Sequence, residues 1–180
     1  MKHINLNPMN PPLNWQDKLP DELPQGWGER AAVLCQAQSL TAALRALGGS
    51  FTVKVLYMGE LDGQGNSFGE NHAETAAPQF VRDVLLHLDG VPVVQARSAC
   101  SPQSQAWRGV LDCGTQPLGE RLFDGTLPLK RSAFEFCLME NAGGQDDFRR
   151  PVAARRSYFD WDGEVLELTE YFLPGLAQFV

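Results

Sequence analysis

Three charged residues fall where alternation along β-rich runs places apolar side chains. In Phe80–Leu88 one face carries Phe80, Arg82, Val84, Leu86 and Leu88, the other Val81, Asp83, Leu85 and His87. Arg82 thus shares the more apolar face, where an unpaired charge is costly. In Val91–Cys100, Arg97 shares a face with Val91, Val93, Gln95 and Ala99. In Glu164–Phe172, Glu170 lies with Leu166, Leu168 and Phe172, while Val165, Glu167, Thr169 and Tyr171 point the other way. Guanidinium groups in such places hold carboxylates through their forked N–H donors. A carboxylate there orients a hydroxyl or assists a proton transfer. The chemistry implied is anion recognition with proton handling.

Hairpin register relates these residues to one another. Asp89-Gly90 between two β-rich runs is a strong turn signal. A two-residue turn pairs Leu88 with Val91 and carries Arg82 opposite Arg97 on one face. Like charges directly opposed destabilise a sheet, so an anion between or beside them is one reading. The other is that each arginine is neutralised by a protein carboxylate or reaches past the sheet edge. Asp162-Gly163 marks a second hairpin, in which a two-residue turn sets Arg155 opposite Glu170. That pairing is the structural alternative to a site role for Glu170, and a four-residue turn removes it.

Other chemistries find little support. His3, His72 and His87 do not cluster, and no HxxxH, HExxH or Cys/His ligand spacing occurs, so no metal site is expected. There is no GxSxG and no phosphate-binding Gly-Lys-Ser/Thr loop, and Gly63-Gln64-Gly65 reads as loop. Phe134, Phe136 and Leu138 alternate as core residues. Cys35, Cys100, Cys113 and Cys137 form no CxxC pair and read as free thiols. A net charge of −7 argues against a general nucleic-acid or anionic-membrane surface, which leaves anion binding to a local basic pocket. With no signal-peptide pattern and no apolar run of the ~18 residues a span requires, a cytoplasmic location is expected.

The elements that must position these residues follow from periodicity and punctuation. Residues 1–28 read as an irregular lead, and 29–180 as one domain. Helices are expected over Glu29–Ala37, over Leu40–Leu47 behind a Ser39 N-cap, over Gln103–Asp112, and from Pro117 at the first position to Phe123. Strands are expected at Phe51–Tyr57, Phe80–Leu88, Val91–Cys100, Ser132–Met139, Ala153–Trp161 and Glu164–Phe172. Gly59–Ala77 and Asn141–Pro151 read as loops. The sum is an α+β domain: a six-stranded, mostly antiparallel sheet with short helices covering one face and the ligand site.

Several segments in order resemble the chorismate pyruvate-lyase family: Ser-Leu-Thr at 39–41, Val-Arg-Asp-Val-Leu-Leu at 81–86, and Ala-Arg-Ser at 96–98 after the Asp-Gly turn. They continue with Pro-Leu-Gly-Glu-Arg-Leu-Phe at 117–123, Arg-Arg-Ser at 155–157 and Leu-Thr-Glu-Tyr-Phe-Leu-Pro at 168–174. The resemblance implies elimination of pyruvate from chorismate to give 4-hydroxybenzoate, the first step of ubiquinone synthesis, by a monomer without cofactor. It implies a ring-carboxylate arginine at Arg82, a second essential arginine at Arg97 and a hydroxyl-contacting carboxylate at Glu170. Backbone amides at Leu40 and Leu118, each in the first turn of an expected helix, would complete the carboxylate site. Chorismate is a dianion, and an Arg82/Arg97 pair on one face would hold both ends. The same fold resemblance extends to small-molecule-binding effector domains of bacterial regulators, but 1–28 is too short and Pro-rich for the winged helix that precedes those. A chorismate mutase, or a lyase with another hydroxybenzoate product, would share the anion site and differ only in chemistry.

Overall fold

The computed structural model describes residues 14–23, 26–62, 77–139 and 151–180. In chain order the elements are α1 (Glu29–Cys35), α2 (Leu40–Ala46), β1 (Phe51–Leu61), β2 (Gln79–Leu88), β3 (Val91–Cys100), α3 (Gln105–Leu111) and α4 (Leu118–Leu122). There follow β4 (Lys130–Arg131), β5 (Glu135–Leu138), β6 (Ala153–Trp161), β7 (Glu164–Phe172) and a 3₁₀ turn over Pro174–Gln178. All strand pairs are antiparallel, in the order β1-β2-β3-β7-β6-β4, with β5 also on β6. The seventh strand, beyond the six expected, is the two-residue β4. Together β4 and β5 line the outer edge of β6, interrupted at Ser132–Phe134. The first strand also runs further than expected, to Leu61; residues 63–76 and 140–150, which take in most of the two expected loops, lie outside the described residues.

Local chemistry explains most element ends. Ser39 caps α2 by accepting the Ala42 N–H, and Ser104 caps α3 by accepting that of Trp107. Pro117 is the N-cap of α4 and not its first helical residue. Asp89-Gly90 and Asp162-Gly163 all have positive φ (48° and 78°, 51° and 87°), the two-residue hairpin turn whose twist matches its strands. The second hairpin keeps register throughout, so Arg155 stands opposite Glu170.

The first hairpin does not keep register. Leu86 pairs with Val94 but His87 pairs with Pro92, so Val93 is the extra residue of a bulge. Pro92 has no N–H for a ladder bond, and proline inside a sheet is confined to edges and bulges. The carbonyl of Val93 accepts the Leu173 N–H instead, at 2.9 Å. A slip of one residue transfers every later side chain to the other face. The expected pairing of Arg82 with Arg97 is therefore wrong: Arg82 stands opposite Ser98, and Arg97 opposite Asp83. The two arginines lie on opposite sides of the sheet.

One face of the sheet carries the core. Val84, Leu86, Leu88, Val94, Leu166, Phe172 and Phe159 meet Ala31, Leu34, Leu44, Trp107, Leu111, Leu118 and Leu122 from the helices. Part of the lead packs there too, since Trp27 stands edge-on to Phe172 at 6.2 Å, while Gln16 and Phe136 exchange backbone hydrogen bonds. On the other face Asp83, Arg97, Thr169, Arg156 and Glu135 form one cross-strand row with charge pairs Asp83–Arg97 and Arg156–Glu135. Cys35, Cys100, Cys113 and Cys137 are free thiols. No helix among the described residues is long and apolar enough to cross a membrane.

The 3₁₀ turn closes onto the bulged hairpin at Gly175, where an added Cβ would sit 2.4 Å from the Pro92 carbonyl oxygen and 2.8 Å from Val91 Cγ1. Both backbones are fixed by neighbouring pairs, so neither yields cheaply. Gly175→Ala is expected to cost about 1–3 kcal/mol and to lower Tm by roughly 3–10 °C, read by calorimetry. An unchanged Tm would show that the C-terminal turn is not held against the bulge.

Candidate functional site

A cleft between the sheet and the starts of α2 and α4 gathers the unusual polar residues. It is lined by Arg82, Arg131, Arg155 and Glu170 with Leu40, Leu118 and apolar residues of the sheet, and its free volume is about 40 Å³. Small-molecule sites are typically several hundred Å³. A ligand of one ring therefore requires the cleft to widen.

Sheet register places the charges. Val55, Val84, Ala96, Glu170, Arg155 and Phe136 form a continuous row across six strands on the core face. Glu170 and Arg155 are neighbours in that row, 7% and 1% exposed. Arg155 Nε donates to Glu170 Oε2 at 2.5 Å. Its Nη1 donates to the carbonyls of Cys35 at 2.9 Å and Ala37 at 2.6 Å, and Phe134 lies 4.3 Å from the guanidinium carbon. The ion pair thus fastens the α1–α2 linker to the sheet. Burial pushes the neighbouring Cys35 thiol up to about 12, with Arg155 pulling it back and Glu170 adding to the rise. The thiol is a packed group and a poor nucleophile.

Arg82, one row along, is 2% exposed. Its Nη2 donates to the Gly114 and Gln116 carbonyls at 2.8 and 3.2 Å, just before α4. Its Nε is buried without a hydrogen-bond partner among the described residues. Burial holds this guanidinium below its ordinary pKa, with Cys113 partly restoring it. A buried donor with no acceptor is costly, and such groups are met by a ligand atom or an ordered water.

Arg131 was not singled out by the sequence, because the strand that carries it is two residues long and alternation has nothing to act on. The signal available was its setting between Phe123 and Phe134, ready for cation–π contact. In the structure its guanidinium carbon lies 5.1, 4.1 and 5.0 Å from the rings of Phe123, Phe134 and Phe159.

Of the residues expected at the site, Arg82, Glu170, Leu40 and Leu118 line one cleft, and the two leucines are the first helical residues of α2 and α4. Arg97 is not among them. It donates to Asp83 through Nε at 2.8 Å and Nη2 at 2.6 Å on the far face. The proline two residues after Asp89-Gly90 was the signal for the bulge that moves it. Among the described residues no group of His, Cys, Asp and Glu is arranged to hold a metal ion.

Comparison with known proteins follows this geometry. A family model described as Chorismate lyase matches residues 18–178. A probable chorismate pyruvate-lyase of Ralstonia nicotianae is 34% identical over 181 residues, covering 92% of this chain and 91% of its own. One from Shewanella loihica is 30% identical, covering 96% and 94%. Among solved structures, the effector domain of PhnF from Mycobacterium smegmatis superposes with a TM-score of 0.45 at 15% identity, covering 76% of this chain and 88% of that domain.

The two buried ion pairs and the unpaired Arg82 respond differently to truncation. Arg97→Met leaves Asp83, 3% exposed, without this guanidinium, and Glu170→Gln leaves Arg155 without its carboxylate. Each is expected to cost about 3–5 kcal/mol, read as a lower urea midpoint. Arg82 has no carboxylate partner among the described residues, so Arg82→Met is expected to cost less than half as much. A midpoint lowered most by Arg82→Met would contradict the pairing described.

Proposed function

The chain belongs to the chorismate lyase family, and from that premise we propose that it eliminates pyruvate from chorismate to leave 4-hydroxybenzoate. The observation that carries the reading is the unpartnered Nε of buried Arg82, on the same face of the sheet as Glu170. In this reading the ring carboxylate accepts from Arg82 Nε and from the amides of Leu40 and Leu118, and the C4 hydroxyl donates to Glu170.

Glu170 serves both of the roles weighed for it. Oε2 is taken by Arg155, and the ligand takes Oε1. The C4–H bond breaks, its proton passing to solvent and its electron pair forming the C3–C4 double bond, while the C3–oxygen bond breaks with its electrons on the departing enolpyruvate oxygen. The enolpyruvate collects a proton at its methylene carbon and becomes pyruvate. Because the ring becomes aromatic, the site has to supply orientation and electrostatic support more than a strong nucleophile. Glu170, held rigid by Arg155, orients the hydroxyl on the carbon that loses hydrogen. The place of the reaction at the head of ubiquinone synthesis, and a cytoplasmic location, belong to the same proposal.

The test is direct. Purified protein with chorismate in the presence of EDTA is expected to release 4-hydroxybenzoate and pyruvate in equal amounts, and Arg82→Ala to lower kcat/KM by about 100-fold. Product at 100 times its Kd is expected to stabilise the fold by about 2.7 kcal/mol. Prephenate as the product, or no aromatic product at all, would refute the reading.

A further inference from the structure

We propose that Ser98 is a further substrate-binding residue, whose hydroxyl donates to the ring carboxylate beside Arg82 and completes the donors of that subsite. The identity of the molecule that carries the carboxylate rests on the chorismate reading above; the pairing of Ser98 with an aromatic carboxylate does not.

Two serines share one row of the core face and differ in what they meet. Met58, Arg82, Ser98, Leu168 and Ser157 follow one another across the strands from β1 to β6. Ser157 Oγ accepts from Arg131 Nε at 3.1 Å. Ser98 stands directly opposite Arg82, yet its hydroxyl has no hydrogen-bond partner among the described residues, and neither has Arg82 Nε. Ser98 is 3% exposed and lines the cleft. A hydroxyl so buried costs free energy until it finds a partner.

The two unmet donors suit one acceptor. Directly opposed residues of an antiparallel pair have Cβ atoms about 5 Å apart, near enough for one group to touch both side chains. A guanidinium only donates, whereas a serine hydroxyl turns its hydrogen to suit its partner. The shared partner must therefore accept, which a carboxylate does and an ammonium does not. A carboxylate offers about four lone-pair sites. Arg82 Nε and the amides of Leu40 and Leu118 take three of them in the reading above, and Ser98, on the floor of the cleft, meets the fourth.

Spacing along β3 agrees with this role. Two residues before Ser98, Ala96 stands opposite Glu170, about 7 Å away by strand rise. That is the scale of a ring with groups at opposite ends, so Ser98 holds the carboxylate end while Glu170 meets the hydroxyl end. Thr41 is the other buried hydroxyl of the lining. It lies on α2 against the start of α4, where a Cβ added to Gly119 would sit 3.0 Å from its Oγ1, and it is not in the row of Arg82. The ring carboxylate lies away from the bonds that break and persists in the product. A contact to it therefore strengthens substrate, transition state and product alike, and leaves the chemical step itself unchanged.

Calorimetric titration of 4-hydroxybenzoate into the full chain, together with chorismate kinetics, tests the assignment. Ser98→Ala is expected to weaken 4-hydroxybenzoate binding about tenfold or more and to raise the KM for chorismate by a similar factor. The single-turnover rate at saturating chorismate is expected to stay within about twofold, a split that a merely loosened fold would not give. Ser98→Cys keeps the size with a weaker donor and is expected to bind with intermediate affinity, which also decides the matter should the Ala variant fail to fold. Unchanged affinity in both variants means that the hydroxyl holds only an ordered water, and overturns the assignment. So does a saturating single-turnover rate that falls as far as kcat/KM, or an unaltered protein that does not bind 4-hydroxybenzoate. Binding that depends on Ser98 without release of pyruvate from chorismate would remove the lyase reading and leave Ser98 standing as a carboxylate donor.

Discussion

The buried pair between Arg155 and Glu170 is the contact on which the rest of the site depends. Neither group has enough solvent to be stable alone, and each satisfies the other across neighbouring central strands. The remaining donors of Arg155 reach the α1–α2 linker, so one guanidinium ties sheet, helix start and carboxylate together. Such a pair does not out-stabilise an apolar core of the same volume. Its value lies in orientation: it fixes one oxygen of Glu170 and leaves the other facing the cleft.

Around that pair the arginines divide labour by what they touch. Arg155 is structural through its carboxylate and backbone carbonyls. Arg97 does the same on the far face with Asp83, inside a row whose two charge pairs, Asp83–Arg97 and Arg156–Glu135, flank Thr169 and keep this side of the sheet polar yet paired. Among the described residues Arg82 and Arg131 have backbone, hydroxyl, amide and ring partners but no ion pair with a carboxylate. A strongly acidic chain thereby concentrates positive potential in one cleft, where low dielectric makes each charge count for more than it would at the surface. The narrowness of the cleft adds to this, since the segments before α4 and α2 that roof it are held by these same two side chains.

The division of faces turns on one residue. Val93 bulges because Pro92 cannot donate to the ladder, and the carbonyl it turns outward is taken by Leu173. Without the bulge two guanidiniums would oppose each other on the core face. With it, Arg97 meets Asp83, and Ser98 takes the place beside Arg82 in the wall of the cleft. The C-terminal turn then seats Gly175 against Pro92, which couples the chain end to the feature that sets the site.

Much was legible in the residues themselves. Asp-Gly turns, period-two alternation and Ser N-caps act over a few residues, so strands, hairpins and helix starts could be read from local chemistry, as could the exposure of Arg82 and Glu170 to the core face. The uninterrupted second hairpin also yielded the Arg155–Glu170 contact by counting. The position of Arg97 could not be counted past a bulge, because a one-residue insertion is decided by which strand supplies the hydrogen bonds that proline cannot, and that partner, Leu173, lies some eighty residues away. Arg131 was silent for the same reason. Two residues carry no period, and only the meeting of β4 with β6, Gln38 and three phenylalanines turns an ordinary surface-type side chain into a wall of the cleft.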